Sequence, residues 1–304
     1  MRNMTDQAAA ALLTDAIWRG KTRDVGPPEL QQALALARSN HVEGRLAGAY
    51  PEQLQCVSAK VKIGNVLFER NLEQVGGRLH RDGIPSVLIK AELPGMSVSR
   101  DFDLVVRERQ WEQAIGALSG WYVHREEDRF ERSTKARFYP PVGPGVHLHA
   151  GVSWFGVPVL PADRLLGQAT PDGRGWLRPA PADNLLIWLA HALFQNLTFD
   201  LSELLAVRDL LKRDVISEAR REAARQGWRG GFDGALATAD SAIDRLDRGA
   251  ALSFPVPLPL PLSLWAGAEH SYHQLRRGRA RAAGREAALR IPLVAAKRPR
   301  ALLT

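Results

Sequence analysis

Arg100-Asp101-Phe102-Asp103-Leu104-Val105-Val106 is the stretch of sequence that decides the fold. Side chains of a β-strand alternate between its two faces, so Asp101 and Asp103 point one way while Phe102, Leu104 and Val106 point into a core. Two neighbouring carboxylates repel each other and raise each other's pKa, whereas a bound divalent cation reverses this effect. The stretch therefore predicts a strand that carries a divalent-ion site suited to nucleotide chemistry.

The sequence around this strand predicts an α+β fold, a small mixed sheet with helices that is flanked along the chain by an N-terminal and a C-terminal helical region. We expect a helical region over residues 1–80, a strand-rich core over 81–160 and a second helical region over 161–304. A proline-alternating segment at 253–261 is expected to be an extended connector. In the second helical region, His191 lies on an apolar helical face, and we interpret it as a hydrogen-bonded core histidine.

Within the core, short extended segments alternate with one helix. Gly83-Ile84-Pro85 ends the preceding helical pattern and opens a buried strand at 87–89. Helical spacing returns over 109–118, and residues 129–139 have the length and alternation of strand material. The segment Val146–Trp154 predicts one further strand, on which two histidines share the face opposite the apolar residues.

The order of these motifs resembles the bacterial uncharacterised nucleotidyltransferase family of the polymerase-beta-like superfamily. The residues that carry the resemblance are Leu88-Ile89-Lys90, Arg100–Val106, Gly120-Trp121-Tyr122, Val146-His147-Leu148-His149, Leu185–His191 and Arg208-Asp209-Leu210. The resemblance spans roughly residues 41–215.

This resemblance implies a nucleotidyltransferase-like fold and a metal-dependent enzyme. Mg²⁺ (or Mn²⁺) and a nucleoside triphosphate would bind, and a nucleoside monophosphate would pass to a small-molecule, peptide or protein acceptor. It makes Asp101 and Asp103 the metal ligands, and Lys90, Ser99 and Arg100 the contacts to the nucleotide.

Two residues depart from the family pattern. Ala91 stands where the family has a glycine after the lysine, and His147 stands where it has a third carboxylate. Three interpretations of His147 and of His149, on the same strand face, remain open. Both could belong to a half-buried strand surface without chemistry, or His147 could act with Asp101 and Asp103 as a catalytic base or metal ligand. It could also mark a degenerate site that binds a nucleotide or a partner without turnover.

The charge of the chain suggests a further class of partner. The 41 basic and 33 acidic residues give a net charge of +8, and the segment Ser271–Thr304 contains nine basic residues against the single acid Glu286. Such a segment can bind a polyanion through phosphate contacts, which would suit a protein that binds or modifies nucleic acid. The alternative is a solvated arginine-rich surface.

The remaining composition predicts a cytoplasmic protein, and the family resemblance implies a bacterial one. Cys56 is the single cysteine, so the sequence offers no internal disulfide and no cysteine cluster for zinc. No segment provides the run of about 18–20 apolar residues that a membrane span requires. The first residues predict an amphipathic helix instead of a signal peptide.

Overall fold

The computed structural model describes residues 2–90, 96–97, 101–119, 123–125, 134–154, 157–250, 252–280 and 284. Its N-terminal region is helical. The helices are α1 (Arg2–Leu13), which continues into a π-helical turn (Thr14–Trp18), α2 (Pro27–Ser39), α3 (Glu43–Ala49) and α4 (Gln55–Arg81). Two prolines fit the start of α2 because the first N–H groups of a helix have no intrahelical partner.

A mixed sheet follows. The strands along the chain are β1 (Val87–Ile89), β2 (Asp101–Val105), β3 (Val123–Arg125), β4 (Lys135–Tyr139), β5 (Gly145–His149), β6 (Val152–Trp154), β7 (Val157–Leu160), β8 (Thr170–Pro171) and β9 (Leu177–Arg178). Seven of them form one sheet in the order β3-β4-β5-β2-β1-β9-β8, and β6 pairs with β7 in a separate hairpin. In the sheet, β2 is parallel to β5 and antiparallel to β1. A helix, α5 (Trp111–Ser119), connects β2 to β3.

The C-terminal region is again mainly helical. Its helices are α6 (Ala162–Gln168), α7 (Pro181–Ala190), which continues into a π-helical turn (His191–Asn196), α8 (Leu201–Arg208), α9 (Arg213–Gln226), α10 (Arg229–Asp247) and α11 (Leu260–Arg276). Two short strands, β10 (Thr198–Phe199) and β11 (Val256–Pro257), pair with each other. The predicted connector at 253–261 thus contains a strand, and α11 begins inside it because Pro261 fits the first helical turn.

The two faces of the sheet pack into different hydrophobic cores. On one face, Phe102 and Leu104 of β2 pack with residues of β5, α4 and α5. On the other face, Val105 of β2 and Val87 and Ile89 of β1 join a larger core formed by the N-terminal and C-terminal helices. The fold is therefore mixed α+β, which confirms the predicted class, and the face that carries Asp101 and Asp103 lies toward the larger core.

One predicted strand differs in the structure. The segment Val146–Trp154 is divided, since β5 ends at His149 and a bend at Ala150-Gly151 precedes β6. The bend follows from where the side chains pack: Val146 and Leu148 belong to the smaller core, whereas Val152 and Trp154 belong to the larger one. A single straight strand would have kept these four residues on one face.

Several predictions fall outside the described residues. They concern Ser99 and Arg100, the turn at 120–122, Ala91 and the greater part of the basic segment after residue 280.

Candidate metal centre

Polar side chains of β2 and β5 converge on one face of the sheet. In the parallel pairing of these strands, Asp103 lies opposite His147 and Val105 lies opposite His149. Residues in register on adjacent strands have side chains on the same face, so the two aspartates and the two histidines meet there. The register brings together residues that are more than forty positions apart in sequence.

Asp103 is the centre of this cluster. Its side chain is only 7% exposed. Its Oδ1 lies 2.7 Å from Nε2 of His149 and 3.5 Å from Nδ1 of His147. Its Oδ2 lies 3.0 Å from Nζ of Lys90. The two carboxylate oxygens therefore face different partners, ring nitrogens on one side and an ammonium group on the other.

Lys90 reaches Asp103 through an unusual backbone conformation. It directly follows β1, and strand alternation would place its side chain on the face of Leu88, which lies in the smaller core. Its φ of +56°, in the left-handed region that residues other than glycine rarely adopt, redirects the chain. The Lys90 ammonium then contacts the Asp103 carboxylate and lies 5.8 Å from the ring centroid of Trp154. Such a conformation in a buried polar cluster is typical of functional sites.

Asp101 contacts the cluster through His147. Its Oδ2 lies 3.0 Å from Nε2 of His147, and its side chain is 41% exposed. The two ring nitrogens of His147 thus face the two aspartates of β2, one each. Asp101 is the outer carboxylate of the site and Asp103 the inner one.

The surroundings fix the charge of the inner groups. Burial alone would raise the pKa of Asp103, but the Lys90 ammonium and hydrogen bonds with both histidines outweigh it and hold the pKa well below its ordinary value. Burial lowers the pKa of His149 to about 4, although the Asp103 carboxylate acts in the opposite direction. At neutral pH the site therefore contains a charged carboxylate beside a neutral imidazole.

This group could hold a metal ion. Asp103, His147 and His149 each offer one ligand atom, and the three atoms lie within 4.8 Å of one another. Mg²⁺ takes oxygen ligands almost exclusively, whereas imidazole nitrogen suits first-row transition ions. Two of the three donors here are nitrogens, so the donor set does not fit the Mg²⁺ that the family resemblance implies.

The structure brings together four of the residues that the sequence analysis selects: Lys90, Asp101, Asp103 and His147. It adds His149, to which the sequence analysis assigns no role. The signal for His149 was present in the sequence, because alternation along β5 places it on the same face as His147.

A second carboxylate–histidine cluster, which we call the cap cluster, lies at the start of α8 and consists of His191, Asp200 and Glu203. Glu203 Oε1 lies 2.7 Å from Nδ1 of His191 and accepts a hydrogen bond from the Asn196 amide. Asp200 and Glu203 form a capping box, in which each side chain accepts the backbone N–H of the other residue. Trp154 connects the two clusters, since its ring contacts that of His191 and lies near Lys90.

Burial acts differently on the carboxyl groups of the cap cluster. It raises the pKa of Glu203 to about 7, although hydrogen bonds from the backbone N–H of Asp200 and from the Asn196 amide act in the opposite direction. Burial and the charge of Glu203 likewise raise the pKa of Asp200 to about 7. These two carboxyl groups therefore hold protons at pH values where Asp103 is charged.

No protein-family model matches the chain, and no curated protein matches it either. Among the helices of the described residues, none combines the length and the apolar character that crossing a bilayer requires.

Proposed function

We propose that this chain is a metal-dependent nucleotidyltransferase that transfers a nucleoside monophosphate from a nucleoside triphosphate to an acceptor. One observation carries the proposal: Asp101 and Asp103 of β2 and His147 of the parallel strand β5 share one sheet face, with Lys90 beside them. This is the spatial counterpart of the motif order that resembles the polymerase-beta-like superfamily. The site stands on strands, which hold reacting groups more rigidly than loops do.

The residues of the site suit the charges of such a reaction. The acceptor oxygen would form a bond to the α-phosphorus while the bond to the bridging oxygen breaks and pyrophosphate leaves. Asp101 is the outer carboxylate, so it is the group that meets an incoming hydroxyl and takes its proton. Lys90 supplies positive charge next to the site, where phosphate oxygens would gather negative charge.

The acceptor in this proposal is a small molecule, a peptide or a protein. Recognition of the nucleobase and of the acceptor would depend on segments around the sheet, and such segments vary independently of the fold that carries them.

A second candidate is nucleotide binding without turnover at the same site. Two observations favour it. His147 stands where the family pattern has a carboxylate, and Lys90 already neutralises the inner aspartate. The site thus offers fewer anionic oxygen ligands to a catalytic metal ion, while the Lys90 ammonium still provides positive charge for phosphate oxygens.

The test is equilibrium binding of each nucleoside triphosphate, with EDTA and with Mg²⁺, Mn²⁺ or Co²⁺, followed by an assay for pyrophosphate. We expect binding that requires a divalent ion and that falls at least about tenfold in Asp101→Asn, since the carboxylate both orients His147 and adds negative charge. Asp240→Asn, an exposed aspartate of α10, is the matched control. Metal-dependent binding without pyrophosphate release under any acceptor tested would favour the second candidate. Equal binding in EDTA would refute the metal-dependent enzyme, and the absence of binding of any nucleoside triphosphate would refute both candidates.

A further inference from the structure

We infer that Asp103, His147 and His149 form a three-ligand site for a first-row transition ion such as Zn²⁺ or Co²⁺, and that the site discriminates against Mg²⁺. The inference assigns the metal that the proposed function uses, and it rests on that function in this respect. Its test uses metal ions alone, so either proposal can fail without the other.

The first argument is the chemistry of the donors. The three ligand atoms are one carboxylate oxygen and two imidazole nitrogens. Ions such as Zn²⁺ bind nitrogen at about 2.0–2.1 Å and oxygen at about 2.0–2.2 Å, which in a tetrahedral site places neighbouring ligand atoms about 3.3–3.5 Å apart. The distances from Asp103 Oδ1 to the nitrogens of His149 and His147 are 2.7 and 3.5 Å. These two distances therefore differ from the spacing around an ion by less than about 1 Å, and all three ligand atoms lie within 4.8 Å of one another.

The second argument is the orientation of His147. Metal-binding imidazoles generally donate their other ring N–H to a carboxylate or carbonyl group, which fixes the tautomer. His147 has this arrangement, because its Nε2 lies 3.0 Å from Oδ2 of Asp101 while its Nδ1 faces Asp103. In the metal-bound form Nε2 would keep its proton toward Asp101, and Nδ1, which faces Asp103, would bind the ion in place of its present contact with that carboxylate.

The third argument is the position of Lys90. Its ammonium contacts Oδ2 of Asp103, whereas both histidines contact Oδ1. A metal ion on Oδ1 leaves the ammonium in place, so the site keeps a near-neutral carboxylate. Mg²⁺ binding depends on negatively charged oxygen ligands. Partial neutralisation of the Asp103 carboxylate therefore weakens Mg²⁺ binding more than it weakens binding of an ion that also gains two nitrogen ligands.

His149 completes the set. Its side chain is 7% exposed and contacts Asp103 from inside the fold, where water competes poorly for the metal.

The experiment is a titration of EDTA-treated full-length protein with Zn²⁺, Co²⁺ and Mg²⁺ by calorimetry, with the Co²⁺ site also followed by visible absorption. We expect one Zn²⁺ or Co²⁺ ion per chain, bound at least about tenfold more tightly than Mg²⁺. His149→Ala should weaken Co²⁺ binding by about 100-fold and change the Co²⁺ spectrum. His80→Ala, which removes an exposed histidine of α4, is the matched control for adventitious binding.

His147→Ala is a second variant that keeps the test decisive if His149→Ala fails to fold, because His147 lies closer to the surface. Loss of Co²⁺ binding in His147→Ala with no change in His80→Ala supports the inference. Mg²⁺ affinity equal to that for Co²⁺, or Co²⁺ affinity unchanged by the loss of either histidine, overturns it. Nucleotide binding is measured separately, and its absence in a protein that binds Co²⁺ as expected would refute the proposed function alone.

Discussion

Asp103 and Glu203 are both buried carboxylates that face a histidine nitrogen at 2.7 Å, yet their surroundings favour opposite charge states. The pKa of Asp103 lies well below its ordinary value, whereas burial raises that of Glu203 to about 7. The Lys90 ammonium contacts Asp103 directly and stabilises its charge. Glu203 has backbone and amide donors instead, and they do not compensate the cost of burying a charge.

The difference lies in what the carboxylate oxygens do. In the cap cluster, Oε2 of Glu203 and Oδ1 of Asp200 accept backbone N–H groups of the helix start while Oε1 of Glu203 accepts the Asn196 amide, so the cluster stabilises α8. In the cluster of Asp103, one oxygen faces two ring nitrogens, either of which can bind a proton or a metal ion. Similar residue types thus serve structure at one place and offer chemistry at the other, and the following changes test this division.

Asp103→Asn should have the largest effect. It removes the single anionic donor of the three-ligand site, so we expect Co²⁺ affinity to fall by at least about 100-fold. It also leaves the Lys90 ammonium buried without its partner, which should lower the free energy of unfolding by about 3 kcal/mol. Calorimetry with Co²⁺ and urea unfolding measure the two quantities.

A double variant separates these effects. Asp103→Asn/Lys90→Met removes both charges and should recover much of the lost stability, while Co²⁺ binding stays lost. Recovery of Co²⁺ binding in the double variant would mean that Asp103 is not a ligand.

Glu203→Ala should affect stability and leave the metal site intact. It removes half of the capping box and the hydrogen bonds to His191 and Asn196, so we expect a loss of about 2 kcal/mol in the free energy of unfolding. Co²⁺ affinity should stay within about twofold of the wild-type value, since Glu203 is outside the three-ligand group. A tenfold loss of Co²⁺ affinity in a folded protein would contradict the structural role.

The same residue should give stability a distinct pH dependence. The pKa of Glu203 is about 7 in the folded chain against an ordinary value of 4.5, so its contribution to stability is present below pH 4.5 and lost as the pH rises through 7. The groups that face it are His191, Asn196, Asp200 and, through its charge, Lys90.

Glu203→Gln isolates this term, because glutamine cannot lose a proton. Relative to wild type, the variant should gain about 1 kcal/mol of stability between pH 6 and pH 8. Urea unfolding of both proteins at several pH values measures the difference. A constant difference across this range would show that Glu203 is charged in the folded protein throughout.

Lys90→Met should have the smallest effect. Removing the ammonium from Oδ2 of Asp103 relieves its repulsion of a metal ion on Oδ1, so Co²⁺ affinity should rise by about threefold. The gain should be larger for Mg²⁺, which depends more on carboxylate charge. Titration with both ions checks this, and weaker binding of both would instead make Lys90 necessary for the shape of the site.

The sequence alone predicts the fold class and part of the candidate metal site. Alternation along two strands places Asp101 with Asp103 and His147 with His149, and the α+β class is confirmed. The pairing of β2 with β5 is a long-range contact that no local pattern encodes, so the approach of Asp103 to His149 could not be predicted.

Two further features show what local sequence patterns can and cannot predict. The left-handed backbone of Lys90 is rare for a lysine, and it arises only from the contacts that hold it. The spacing of Asp200 and Glu203 is the recognised signature of a capping box, which would have identified the start of α8. The raised pKa values of that pair depend on burial by distant helices and were not predictable from spacing.

The most direct test of the central claim is proton NMR of the Co²⁺-loaded protein. Ring protons of an imidazole bound to Co²⁺ shift far outside the normal range, so the spectrum identifies which histidines are ligands. We predict two such rings, with one set of shifted signals lost in His147→Ala and the other in His149→Ala, while His191→Ala retains both. A shifted ring assigned to His191, or shifted signals that survive both single variants, would contradict the assignment of the metal site to the sheet.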